Sequence, residues 1–187
     1  MAIKTFPALW WNYLHITDLN YSHEGEGMMQ SWTRWNEVRS EPVMKFDCSS
    51  DTTSIDKIIS VNLVMSVRYG YGVLNRIYPI NRPVSSGCTW NSYGAGNWAV
   101  GGAQAVPQDR SGTPLGVKSL AQGDQEITIA PADYINWRSG SAPLIMVADS
   151  NADYQTQIWT EAAEGQWGPY IQVEYIPPTR AMYILGG

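Results

Sequence analysis

The chain has 187 residues, 44% of them hydrophobic, which is enough for one core and a single β domain of ordinary size. Net charge is −5 with an isoelectric point of about 4.9, and Lys and Arg nowhere cluster, so the positive face that nucleic-acid phosphate needs is not expected. No run of about 20 apolar residues occurs, and no membrane-spanning helix is expected.

Short alternating or apolar runs separated by Gly, Pro, Asn, Ser and Asp dominate the chain, the pattern of a β-sandwich. Strands are predicted over 11–16 and 42–46, the second ending at Cys48 and Ser49. The strongest signal is 58–69, where Val61, Leu63, Met65 and Val67 alternate with Asn62, Val64, Ser66 and Arg68. Further strands are predicted over 73–80 and 125–129, with 144–148 as a continuous apolar run suited to a buried strand. The segments 155–160 and 170–175 close the set, the last reading Tyr-Ile-Gln-Val-Glu-Tyr with period two. One helix is predicted over 131–138, because Pro131 suits a first turn, Asp133 favours the N-terminal end and Ser139-Gly140 ends it. The longest loop is predicted over 85–124, rich in Gly, Ser and Pro.

The expected fold is therefore all-β, a single β-sandwich with one short helix and long loops over 1–178. Apolar residues mark both ends: Phe6, Leu9 and Trp10 on an arm over 1–10 with Trp11 directly after it, and Met182, Tyr183, Ile184 and Leu185 on an arm over 179–187, beyond the strand-stopping Pro177-Pro178. Such residues need a surface to dock on, the domain's own or a neighbour's. The opening stretch lacks the apolar core and the small-residue cleavage site of a signal peptide, since Pro7, Asn12 and His15 interrupt it.

Catalysis has little support in the residues. The two histidines, His15 and His23, read as ordinary surface or core side chains, and no nucleophile elbow, HExxH or phosphate-cradling Gly loop is present. Cys48 and Cys88 form no CxxC pair and leave a single disulfide or two buried thiols open. Calcium is the cation best suited to Asp149, Asn151 and Asp153, three oxygen ligands at alternate positions, although Tyr154 stands where a calcium loop has its turn Gly. A polar turn is the alternative there. The 9 Trp and 11 Tyr, against 2 Phe, favour half-wet binding faces. Trp32, Arg34, Trp35 and Glu37 set two indoles beside a guanidinium and a carboxylate, and with Tyr93 and Trp167 they are the candidate carbohydrate-binding residues. Trp90 and Trp98 are expected instead to pin the long loop to the core.

Four segments in order carry a family resemblance. Asp18-Leu19-Asn20-Tyr21 is similar to an early Asn-Tyr-Gly segment, with Ser22 in place of Gly. Met44-Lys45-Phe46-Asp47-Cys48-Ser49, followed by the strand from Ile58 to Val67, is similar to a Lys-Phe-Asp-Leu-Ser strand and its successor. Thr89-Trp90-Asn91, Trp98 and Gly101-Gly102 resemble a Thr-Trp-Asn…Trp…Gly-Gly loop. Trp159-Thr160-Glu161 and the segment from Pro169 to Tyr175 resemble the closing elements. Together they resemble the DNRLRE domains, a group of jelly rolls related in fold to polysaccharide-binding modules, some of which bind calcium. The resemblance implies a jelly roll and a polysaccharide ligand.

Two functions are expected. One is a non-enzymatic virion structural protein, a phage capsid decoration or tail component, with other virion proteins or copies of itself as partners in a homo-oligomer. The other is a free extracellular carbohydrate-binding module.

Overall fold

A computed structural model describes residues 1–24, 26–34, 37–149, 154–159 and 168–178. Among these residues eight strands make one sheet: β1 (Ala2–His15), β2 (Met28–Arg34), β3 (Glu37–Phe46), β4 (Ile58–Pro79), β5 (Gly116–Thr128), β6 (Leu144–Asp149), β7 (Tyr154–Trp159) and β8 (Tyr170–Tyr175). Among the described residues the only α-helix is α1 (Pro131–Arg138). The chain is thus all-β with one short helix and long loops. Its strands close into a barrel, in the order β1-β8-β4-β6-β3 with β3 returning to β1. β2 and β7 bridge β3 back to β4, and β5 lines the remaining edge of β4. Every pairing is antiparallel.

β4 organises the barrel. Along one edge it meets β8 through Ile58 to Val64, β7 at Val67 and Tyr69, and β6 through Leu74 to Pro79. The sequence separates this segment into 58–69 and 73–80, and the structure joins the two halves across a bend. Gly70 and Gly72 make the bend possible. A Cβ on Gly70 would lie 2.7 Å from the Leu120 carbonyl oxygen, and Gly72 has φ +71°. The register against β5 shifts on both sides of Tyr71, as at a bulge.

β1 changes partner along its length. Ala2 to Pro7 pair with β8, and Ala8 to His15 pair with β3. Pro7, which has no N–H to donate, falls at the switch, where a missing ladder bond is tolerated.

Two further differences from the sequence reading have physical causes. β2 was not expected, because its inward positions are Met29, Ser31 and Thr33 while Trp32 is only half-buried, so its hydrophobic alternation is inverted. β5 begins at Gly116, so the loop expected over 85–124 is shorter. α1 follows the sequence, and buries Tyr134 and Trp137.

The main core fills the barrel with Met29, Met44, Phe46, Leu63, Met65, Ile77, Leu120, Ile127, Leu144, Ile171 and their neighbours. A second cluster of Leu14, Val43, Tyr78, Ile80, Cys88, Trp90, Trp98, Ala103 and Ile145 lies under the long loop. Trp90 and Trp98 anchor that loop, as expected. Gly101 and Gly102 lie directly against the Trp90 indole, where a Cβ on Gly102 would stand 2.7 Å from its ring. Asp109, wholly buried, accepts the Ala99 and Val100 N–H groups at 3.0 and 3.1 Å and pairs with Arg82 at 3.2 Å. Cys48 and Cys88 are free and buried, and burial pushes both thiols up to about 12. They behave as small core residues rather than reactive thiols.

Candidate functional site

Both histidines converge with Tyr13, Asp18, Tyr21, Glu26 and Trp32. Tyr13 and His15 come from the end of β1 and Trp32 from β2, while Asp18, Tyr21, His23 and Glu26 come from the loop that joins them. That loop is folded back by Asn12, which is wholly buried. Its Oδ1 accepts the His23 N–H at 3.0 Å, and its Nδ2 donates to Ser22 Oγ, the Ser86 carbonyl and the Cys88 carbonyl. One amide therefore ties β1 to two loops.

Within the cluster the His23 ring stacks on Tyr13, with centroids 4.0 Å apart, and meets the edge of Tyr21 at 4.9 Å. Glu26 bridges the stacked pair, with Oε1 2.7 Å from His23 Nδ1 and Oε2 accepting the Tyr13 hydroxyl at 2.8 Å. Asp18 Oδ2 stands 3.4 Å from His23 Nε2 and 3.5 Å from His15 Nδ1. The first of these lacks hydrogen-bond geometry, and among the described residues His23 Nε2 is buried without a hydrogen-bond partner. The Thr17 hydroxyl lies 2.8 Å from His15 Nδ1, and the His15 and Trp32 ring centroids are 6.0 Å apart.

Electrostatics follow from this packing. Burial, and then the hydrogen bond to Glu26, push the Tyr13 hydroxyl well above its ordinary range. Burial would raise the Glu26 carboxyl, but hydrogen bonds from His23 and Tyr13 outweigh it and hold the group below its usual value. Burial lowers His15, against the opposing pull of Asp18. The result is a Glu26 carboxylate held ionised beside a Tyr13 hydroxyl that keeps its proton. Tyr21 is 62% exposed, and the Asp18 and Glu26 carboxylates are both more than two-fifths exposed. The cluster presents an aromatic edge and two acceptors to solvent.

No protein-family model and no curated protein matches this chain. Among the described residues no group of three or more His, Cys, Asp or Glu is placed to hold a metal ion, and no helix is long and apolar enough to cross a membrane.

Of the residues expected to bind sugar, Trp32 lies in the cluster. Arg34 and Glu37 face each other across β2 and β3, but their side chains, like Trp35 and Trp167 entirely, lie outside the described part of the structure. Tyr93 is engaged on the long loop, edge-on to Trp98 with centroids 5.5 Å apart and 5.7 Å from the Arg82 guanidinium. Asp149 ends β6, and its side chain, together with Asn151 and Asp153, falls outside the described part as well. Phe6, Trp10 and Trp11, expected on an assembly arm, lie in β1 and pack on this domain's own two clusters. Met182, Tyr183, Ile184 and Leu185 are outside the described residues. Sequence reasoning missed Tyr13, Asp18, His23 and Glu26 as partners. The spacing of His23 and Glu26, three apart in a Gly-bordered loop, was the only local signal.

Proposed function

We propose that the chain is a non-enzymatic binding domain, a jelly roll of the DNRLRE type, that recognises a polysaccharide through the cluster around Trp32 and Tyr21. The observation that carries this reading is the combination of an exposed Tyr21 ring and a half-buried Trp32 indole with two half-exposed carboxylates in one array. Aromatic rings offer an apolar face to the C–H side of a sugar ring, and carboxylates accept its hydroxyls. The side chains best placed for acid–base chemistry, Tyr13, His23 and Glu26, are bound to one another, which supports a positioning role. The DNRLRE reading is supported by the way Trp90, Trp98 and Gly101-Gly102, which carry the resemblance, work as one anchoring unit. Affinity electrophoresis tests the site. The Trp32→Ala, Tyr21→Ala double variant should lose polysaccharide retardation while keeping the wild-type melting temperature, and unchanged retardation removes the site.

A second reading, that of a virion structural protein such as a phage capsid decoration or tail component, is favoured by an apolar rim. Met1, Ile3, Ile59 and Ile176 are all exposed at one end of the neighbouring strands β1, β4 and β8, with Ile3 at 60%. Adjoining exposed aliphatic groups mark surfaces that associate. Density-gradient fractionation of the source culture tests it. Co-migration of the chain with DNA-filled particles at fixed stoichiometry is the expected result, and recovery only from soluble or cell-wall fractions defeats it.

A further inference from the structure

The outward side of β1, β8, β4 and β5 holds a second array. Phe6, Ile171, Leu63 and Ile127 are in register across the four strands and point into the core. Side chains alternate along a strand, so the neighbouring rows point outward. One outward row is Thr5, Gln172, Asn62 and Thr128, and the next is Pro7, Tyr170, Val64 and Glu126, of which Val64 is buried. Ile3, Glu174 and Ser60 form a third. Hydroxyls, amides and carboxylates thus stand on all four strands, interspersed with the apolar Ile3, Pro7 and Val64. Two of them are already oriented, Asn62 Nδ2 donating to Glu126 Oε2 at 3.0 Å and Ser60 Oγ to Glu174 Oε2 at 3.3 Å.

A groove of about 480 Å³ opens on the same rows at Thr5, Pro7 and Tyr170, and continues to Trp11 and Pro169. This is within the roughly 300–1,000 Å³ of small-molecule sites. Its walls are mainly ring and aliphatic carbon. Trp11 also reaches the cluster described above, because its indole N–H donates to the Glu26 carbonyl at 3.3 Å. The groove therefore adjoins the Tyr13–Glu26–His23 array on one side and the polar rows on the other.

We infer that this groove and the outward rows of β1, β8, β4 and β5 form a second glycan contact, which takes a neutral polysaccharide chain. The inference rests on the polysaccharide reading of the domain and extends it to a ligand class and a surface. Neutrality follows from the charges present: the rows carry Glu126 and Glu174 and no cation, so a uronate or sulfated chain would meet like charge. Tyr170 and Trp11 supply ring faces, and the Asn and Gln amides both donate to and accept from hydroxyls.

The test is affinity electrophoresis in gels containing hydroxyethyl cellulose or, in parallel, alginate. Wild type should be retarded by hydroxyethyl cellulose and not by alginate. The Asn62→Ala, Gln172→Ala double variant, and separately Tyr170→Ala, should bind about tenfold more weakly, the loss expected when one or two hydrogen bonds or a ring contact disappear. Both substitution sets lie on the outward face, and their melting temperatures check folding. Wild-type retardation in the Asn62/Gln172 variant and in Tyr170→Ala, with loss in the Trp32/Tyr21 variant, overturns this inference and leaves the first site standing. The converse pattern removes the first site and keeps the sheet face. Retardation by alginate alone overturns the neutral ligand class, and no retardation in either gel overturns the inference together with the reading on which it rests.

Discussion

The Gln104 side-chain amide donates to the Glu41 carboxyl over 2.6 Å, joining the long loop to β3 inside the protein. Glu41 is wholly buried, its second oxygen has no hydrogen-bond partner among the described residues, and burial pushes its carboxyl up to about 8 from an ordinary 4.5. The hydrogen bond from Gln104 and the charge of Arg110 pull the other way without overcoming burial.

Stability should therefore fall as pH rises from about 4.5 to about 8. The folded protein holds this proton over that window while the unfolded chain has released it, so the contribution is complete at acid pH and lost on the alkaline side. The difference amounts to several kcal/mol, on the order of 1.4 per pKa unit. Glu41→Gln should flatten this slope and raise stability at pH 8. Urea denaturation of both proteins at pH 5 and 8 measures it, and parallel pH profiles would show that Glu41 is not the source.

Asp51 holds three parts of the chain together. Its side chain is fully buried and contacts Lys4 Nζ at 2.7 Å, the Tyr134 hydroxyl at 2.9 Å and Arg138 Nη1 at 3.1 Å. These bonds overcome the effect of burial and hold its carboxyl far below the usual range. Asp51→Ala leaves two cations facing an empty position and should destabilise by about 3–5 kcal/mol. Thermal unfolding reads the loss, and a change below about 1 kcal/mol would mean that the network contributes little.

Gly102 has φ +70° and touches the Trp90 ring. Gly102→Ala adds a methyl group to a left-handed backbone position and to an occupied space. It should cost about 2 kcal/mol or more and red-shift tryptophan emission as Trp90 gains water. Gly140→Ala is the control, since nothing lies within 4 Å of its added Cβ.

His15 gives the opposite pH dependence to Glu41. Burial holds it below 6.5, so it favours folding above that pH, and its contribution is lost as pH falls through the lowered value. His15→Gln should reduce acid-side destabilisation between pH 7 and 5. A variant that loses stability on acidification as steeply as wild type would assign the effect to other groups.

The local part of the fold was legible from the residues. Period two in Tyr170 to Tyr175 and the Pro131 start with the Ser139-Gly140 stop specified β8 and α1, because alternation and end signals act over a few neighbouring residues. The anchoring of Trp90 and Trp98 was legible too, since a Trp-rich loop with a Gly-Gly pair needs somewhere to bury its rings. Tertiary structure decided the rest. β2 pairs through inward Ser31 and Thr33, which no hydrophobic pattern marks, and its place depends on β3 and β7 on either side. The candidate site depends on Asn12 folding the loop after β1 back onto its own strand, and the polar sheet face on a register among four strands drawn from distant parts of the chain. Hydrophobic alternation determined that this protein would be all-β, and composition that it would be rich in aromatic groups. Which of those groups meet was set by long-range backbone pairing, because a strand's register, and hence the face of every side chain on it, is fixed by its neighbours and not by itself.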